Sequence, residues 1–139
     1  MKSLIVEVIN TVNAQSKPRT FEIICLCADW CSACRNLKAQ FATLASELHY
    51  PIYWLDVETY DEALNKAEIE IETFPTIIVT AKQAEHNRAI YFAGSIEPNI
   101  ASLTRLLKAL SRSTTPALNE TSWQSALKQL EAAGAFAGV

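Results

Sequence analysis

The chain has 139 residues, of which half are apolar and 19% are charged, and its formal net charge is −3 at pH 7. This length and composition predict one soluble globular domain with a sizeable core. The acidic balance argues against a nucleic-acid partner, and three glycines leave little scope for a glycine-rich phosphate loop. No stretch reaches the roughly 18 apolar residues of a membrane span. We therefore expect no membrane partner and a cytoplasmic location.

The predicted elements alternate between helices and strands. Residues 3–14 carry apolar side chains at helical spacing, although their β-branched content leaves a strand over residues 3–9 as an alternative. Residues 21–28 (FEIICLCA) are almost continuously apolar, which predicts a strand covered on both faces. The later predicted elements are a long helix from about residue 31, a strand at 52–57, a short helix at 61–69, strands at 76–81 and 89–93, and a helix that Pro98 opens.

This order of elements predicts an α/β fold. A strand–helix–strand start requires parallel pairing through a right-handed crossover, and the polar turn at 82–88 requires antiparallel pairing of the last two strands. The result is a mixed four-stranded sheet flanked by helices in three layers. We expect a domain over residues 1–110, a linker over 111–121 rich in hydroxyl residues, and an amphipathic helix over 122–139. The apolar face of that helix either docks on its own domain or joins a second copy, which would leave the protein a monomer or a weak homodimer.

All four cysteines lie in the segment CLCADWCSAC, at positions 25–34. The pair Cys31 and Cys34 stands where a strand ends and a helix begins. The unpaired N–H groups of a helix N-terminus favour the thiolate form of a cysteine placed there. The two-residue spacer fits one helical turn and brings two sulfurs into bonding range. We therefore expect Cys31, at the exposed end, to be the nucleophile and Cys34 to be the resolving thiol.

Two segments carry a family resemblance. Residues 28–35, ADWCSACR, resemble the active-site segment of thioredoxins, and residues 73–76, TFPT, resemble the loop that holds a cis-proline beside the dithiol in that family. The order of elements is similar too, and the resemblance covers roughly residues 3–110. It implies a thioredoxin-like fold with a C-terminal helical extension and the activity of a thiol–disulfide oxidoreductase.

The resemblance also implies how substrates bind. It makes Pro75 a cis-proline, places the Phe74 backbone against an extended substrate peptide, and makes Trp30 an exposed docking side chain. The implied partners are protein disulfide substrates and an unidentified reductase. The implied chemistry needs no cofactor besides the redox-active disulfide, and the sequence does not tell whether the protein mainly reduces or oxidises.

The sequence departs from thioredoxins around the dithiol. Ser32 and Ala33 replace the Gly-Pro that tunes the redox potential in that family. Cys25 stands where thioredoxins place a buried aspartate, and Trp54 aligns with the lysine that accompanies it. Both halves of a buried charge pair are thus replaced together, which avoids stranding one charge at a cost of about 3–5 kcal/mol. Cys27 occupies the position of a tryptophan that packs beside the active site.

Cys25, Cys27 and Asp29 are possible modulators of the dithiol. Cys25 and Cys27 lie two apart on a strand, so they share a face, and the alignment places that face under the active site. They either fill the core as small apolar side chains or supply a third thiol that traps Cys34 in an alternative disulfide. Asp29 either biases the local potential and accepts a proton, or is a solvated surface charge.

Two other classes of function stay open. The spacing C-x-C-x3-C-x2-C also suits four thiolate ligands of zinc or an iron–sulfur cluster. Structural zinc sites usually use two well-separated pairs of ligands, so we predict that there is no metal. The second class is a thioredoxin-like protein-binding module with little turnover, which the missing proton-handling aspartate favours.

Overall fold

The computed structural model describes residues 21–48, 50–84, 87–112, 117–118 and 121–136. The predicted helix over residues 3–14, with its strand alternative over 3–9, lies outside these residues. The described elements are β1 (Glu22–Cys27), α1 (Ser32–Leu48), β2 (Ile52–Asp56), α2 (Asp61–Lys66), β3 (Thr76–Ala84), β4 (Asn87–Ser95), α3 (Ile100–Arg112) and α4 (Thr121–Ala132). None of these described helices is long and apolar enough to cross a membrane.

The four strands form one mixed sheet in the order β2-β1-β3-β4. β1 pairs with β2 in parallel and with β3 antiparallel, and β3 pairs with β4 antiparallel. This confirms the predicted mixed four-stranded sheet flanked by helices. Every residue of β1 is buried, as its continuous apolar run predicts for a central strand covered on both faces.

The alternation of side chains along β1 divides the core into two halves. Ile23, Cys25 and Cys27 face a cysteine-side core that also contains Leu37 of α1 and Leu103 of α3. On the other face of the sheet lies a second core, whose buried members are Ile24, Leu26, Tyr53, Leu55, Ala63, Leu64, Ile78, Ile90, Leu127, Leu130 and Ala135. The sheet therefore lies between a layer of α1 and α3 and a layer of α2 and α4.

The hairpin between β3 and β4 is longer than predicted. The polar run at 82–88 was expected to be a turn, but β3 continues to Ala84, β4 begins at Asn87, and Lys82 pairs with Arg88. Arg88 is buried because its guanidinium bonds the Glu22 carboxylate at 2.8 Å, which holds this polar residue in the sheet. The predicted turn is therefore wrong over most of its length.

Three helix ends also differ from the prediction. The C-terminal helix was predicted to run to residue 139, but α4 ends at Ala132 and residues 133–136 form turns. The short helix α2 ends at Lys66 rather than residue 69, because Glu68 has a left-handed backbone with φ of 58°. α3 begins at Ile100 rather than at Pro98. Asn99 caps it, since the Ser102 backbone N–H donates to Asn99 Oδ1 at 2.8 Å.

The C-terminal helix α4 packs on its own domain. Ala126, Leu127 and Leu130 are buried, and Leu127 and Leu130 belong to the second core. Ahead of this helix, Leu118 forms an isolated antiparallel bridge with Ile90 of β4, and its N–H donates to the Ile90 carbonyl at 2.6 Å. The apolar face of the helix is thus used within the chain, while the predicted oligomeric state and the proposed domain boundaries stay predictions.

Candidate active site

The loop from β1 to α1 carries Cys31 at the start of the helix. The Cys31 N–H donates to the Ala28 carbonyl at 3.0 Å, and the Cys31 carbonyl accepts from the Arg35 N–H at 3.1 Å. Cys31 is therefore the N-cap residue of α1, and Cys34 lies in its first turn. The Cys31 side chain is partly exposed, whereas Cys34 is 1% exposed and belongs to the cysteine-side core.

The structure joins Cys34 to Cys27 rather than to Cys31. The two residues form a disulfide with their Cα atoms 5.8 Å apart, and Cys25 and Cys31 are free thiols. Cys27 ends β1 on the face that packs against α1, and Cys34 points into the same core, so their sulfurs meet. The expected Cys31–Cys34 pairing is thus absent from this state, and the alternative disulfide is the pairing found. The catalytic roles of Cys31 and Cys34 stay predictions.

Cys25 is a buried thiol next to this disulfide. Its Sγ lies 3.7 Å from Cys27 Sγ, and burial raises the pKa of the Cys25 thiol. Since a disulfide sulfur carries no hydrogen, Cys25 must be the donor in this contact. Cys25 also lies directly opposite Trp54 on β2. The two positions that the resemblance assigns to a charge pair are therefore neighbours, and both are uncharged here.

The predicted substrate-binding residues lie together at the surface end of the sheet. Trp30 is 63% exposed, and its ring contacts Phe74 edge to face with the centroids 5.5 Å apart. Its indole N–H donates to Glu58 Oε1 at 2.8 Å, which fixes the orientation of the ring. The Phe74–Pro75 peptide bond is cis. Phe74 and Cys31 both pack against the cysteine-side core, and Trp30 directly precedes Cys31 in the chain.

An acidic pair lies beside the cysteines. A side-chain hydrogen bond to Asp56 and the charge of that carboxylate raise the pKa of Asp29, with a smaller contribution from Glu58. Asp56 lies opposite Cys27 in the β1–β2 register. Sequence reasoning singled out Asp29 but missed Asp56. The available signal was a carboxylate at the end of the strand that pairs with the cysteine strand.

A metal site needs several ligands around one point. Within the part of the chain that the structure describes, no three or more His, Cys, Asp or Glu side chains are arranged to hold an ion. Two of the four sulfurs are joined in the Cys27–Cys34 disulfide, and a disulfide sulfur is not a thiolate ligand.

The sequence model of the thioredoxin family, described as thioredoxin, matches residues 8–105. Among solved structures, an oxidised thioredoxin from Plasmodium falciparum is 16% identical with a TM-score of 0.50, and the alignment covers 73% of this chain and 91% of that one. A thioredoxin from Fasciola hepatica is 24% identical with a TM-score of 0.48 over 73% and 89% of the two chains. Chloroplastic thioredoxin z is 19% identical with a TM-score of 0.49 over 75% and 89%. No curated protein matches the sequence.

Proposed function

The chain belongs to the thioredoxin family, and on that premise we propose that it is a thiol–disulfide oxidoreductase acting on protein disulfides. The observation that carries this proposal is the position of Cys31. It caps the N-terminus of α1, it is partly exposed, and it follows directly after the exposed Trp30. Such a position presents the Cys31 sulfur to a protein substrate beside the unpaired N–H groups of a helix N-terminus.

The proposed reaction has two exchange steps in the fully reduced protein. The Cys31 thiolate attacks one sulfur of the substrate disulfide, a mixed disulfide forms, and the other substrate sulfur leaves as a thiolate. Cys34 then attacks Cys31 Sγ, the Cys31–Cys34 bond forms, and the second substrate sulfur leaves. The substrate gains two electrons and the protein dithiol loses them. An external dithiol or a reductase must return these electrons before the next cycle.

Trp30, Phe74 and Pro75 are proposed to hold the substrate segment. Trp30 offers an exposed apolar ring that Phe74 and Glu58 keep in place. The Phe74 backbone is proposed to pair with an extended segment of the substrate peptide. Asp29 is proposed to modulate the exchange by holding a proton close to the reacting sulfurs. The proposal includes no cofactor beyond the dithiol, and it places the protein in a reducing compartment such as the cytoplasm.

Reduction of insulin with dithiothreitol as the electron donor tests this function. The wild-type protein should accelerate insulin precipitation above the rate with dithiothreitol alone, and Cys31→Ser should abolish the acceleration. Cys34→Ser should instead accumulate a mixed disulfide between insulin and Cys31. Ser122→Ala, at an exposed serine of α4 on the opposite side of the sheet from the cysteines, is the matched control and should behave as the wild type. Equal rates for the wild type and Cys31→Ser would disprove the proposed activity.

The Cys27–Cys34 pairing favours a second candidate, a binding module with little turnover. While Cys34 is bonded to Cys27, Cys31 has no resolving thiol, so a partner captured at Cys31 stays attached. In that case the oxidised wild-type protein should form a lasting mixed disulfide, and insulin reduction should be negligible although Cys31 reacts with alkylating agents. Rapid release of the partner would exclude this candidate.

A further inference from the structure

The four sulfurs differ in their access to solvent. Cys25 and Cys27 are 0% exposed and Cys34 is 1% exposed, whereas Cys31 is partly exposed. In thiol–disulfide exchange the attacking sulfur must reach one of the bonded sulfurs. A thiol from solution or from another protein therefore cannot reach the Cys27–Cys34 bond while the chain is folded.

Cys31 is the thiol that connects this buried bond with the surface. It stands one helical turn before Cys34, and its side chain packs against the core that contains the disulfide. Cys34 thus has two possible partners, one at the end of β1 and one at the start of α1. Cys31 reaches solvent, so it can exchange with an external thiol as well as with Cys34.

We propose, building on the proposed function, that Cys27–Cys34 is a buried reserve disulfide that exchanges with the surface through Cys31. The Cys31 thiolate attacks Cys34 Sγ, the Cys31–Cys34 bond forms, and the Cys27–Cys34 bond breaks. Cys27 leaves as a thiolate and takes up a proton equivalent to the one that Cys31 released. One disulfide replaces another, so the oxidation state is unchanged and the step needs no external oxidant or reductant.

Cys25 stabilises the leaving group in this exchange. It is the S–H donor to Cys27 Sγ at 3.7 Å, and it becomes a donor to a thiolate once the Cys27–Cys34 bond opens. Burial raises the pKa of Cys25, so it keeps its hydrogen and can donate it. The reserve bond therefore regulates the active site, because Cys34 is available as a resolving thiol only after Cys27 has been displaced.

Mapping of the disulfides in the oxidised full-length protein gives the first test. Trypsin is unsuitable, because all four cysteines lie between Arg19 and Arg35 without an intervening Lys or Arg. Acid quenching and alkylation first trap the free thiols. The chain is then cleaved before Asp29, which separates Cys27 from Cys34. A Cys27–Cys34 bond then links two peptides, whereas a Cys31–Cys34 bond stays within one. We expect both species, and an exclusive Cys31–Cys34 bond would overturn the proposal.

The rate at which dithiothreitol reduces the reserve bond gives the second test. Oxidised Cys31→Ser contains Cys27–Cys34 without the surface thiol, and we expect its reduction in the folded state to be on the order of tenfold slower than in the wild type. Unfolding in guanidinium chloride should remove the difference, and Ser122→Ala should match the wild type. Alkylation of Cys31 in the wild-type protein blocks the same thiol without a substitution. Equal rates in the folded state would overturn the proposal.

Failure of this inference can be separated from failure of the proposed function. Cys27→Ala keeps Cys31 and Cys34 but cannot form the reserve bond. If this variant forms Cys31–Cys34 and still does not reduce insulin, the proposed function fails. The inference about the reserve disulfide depends instead on the rates at which dithiothreitol reduces Cys27–Cys34. If the proposal holds, Cys27→Ala should reduce insulin faster than oxidised wild type, because Cys34 is never sequestered.

Discussion

Replacing Arg88 by methionine should strongly destabilise the fold, because it leaves a buried carboxylate without its cation. Arg88 Nε lies 2.8 Å from Glu22 Oε1, and the two side chains are 7% and 10% exposed. The Tyr53 and Thr80 hydroxyls also donate to the Glu22 carboxylate, at 3.2 and 3.3 Å. These contacts remain in Arg88→Met, but two neutral donors do not replace a guanidinium.

The expected loss follows from these contacts. Removing one partner of a buried ion pair costs about 3–5 kcal/mol, and the remaining hydroxyl donors favour the lower part of that range. Arg88 also lies over the Phe136 ring at 4.3 Å, a contact whose loss adds about 1 kcal/mol. We therefore expect Arg88→Met to lower the free energy of unfolding by about 4 kcal/mol. Adding Glu22→Gln removes the stranded charge and should bring the double variant to within about 2 kcal/mol of the wild type.

Urea denaturation followed by far-ultraviolet circular dichroism measures these differences. Urea is uncharged and does not screen the ion pair, and fully oxidised samples keep the disulfides constant. The ion pair lies on the face of the sheet opposite the cysteines, so disulfide mapping should give the same pattern in every folded variant. If Arg88→Met and the double variant were equally unstable, the stranded charge would not be the cause and the reasoning would be refuted.

Three smaller changes test individual groups. Asp56→Asn should lower the pKa of Asp29 towards its ordinary value, because it removes the charge and changes the hydrogen bond that raise this pKa. A carbon-13 titration that gives Asp29 the same pKa in the variant and the wild type would contradict this. Burial raises the pKa of Tyr53, so the neutral phenol stabilises the fold below about pH 10 and this contribution is lost as the pH rises through the folded-state value. The free energy of unfolding of Tyr53→Phe should therefore fall less steeply above about pH 10 than that of the wild type. Equal slopes for the two proteins would contradict this prediction. Cys25→Ala should slow the exchange from Cys27–Cys34 to Cys31–Cys34 by about twofold to fivefold in quenched alkylation, and an unchanged rate would remove the donor role.

The sequence was most informative where local pattern decides the structure. The apolar run around β1 predicted a central strand buried on both faces, and its period of two placed Cys25 and Cys27 on one face. The spacing of Cys31 and Cys34 predicted a cap and a first turn, which the backbone hydrogen bonds of Cys31 show. These features depend on neighbours within a few residues, so they can be predicted from a single segment.

Features that depend on distant residues could not be predicted in this way. Arg88 looked like part of a polar turn, and only its contact with Glu22, 66 residues earlier in the chain, explains why it lies in a strand. The partner of Cys34 could not be predicted for a different reason, which is packing rather than distance along the chain. Cys27 and Cys31 are both close to Cys34 in sequence. In this structure the packing of β1 against the following helix brings Cys27 to Cys34. The spacing of the cysteines along the chain does not predict that packing.

The setting of Trp30 gives the protein an optical probe of its candidate active site. The chain has three tryptophans, and Trp30 is 63% exposed whereas Trp54 and Trp123 are partly buried against the two cores. An indole in water emits at longer wavelength than one in an apolar environment, so the red edge of the emission belongs mainly to Trp30. A partner that covers this ring would shift that edge to the blue, and docking can be followed without attaching a dye.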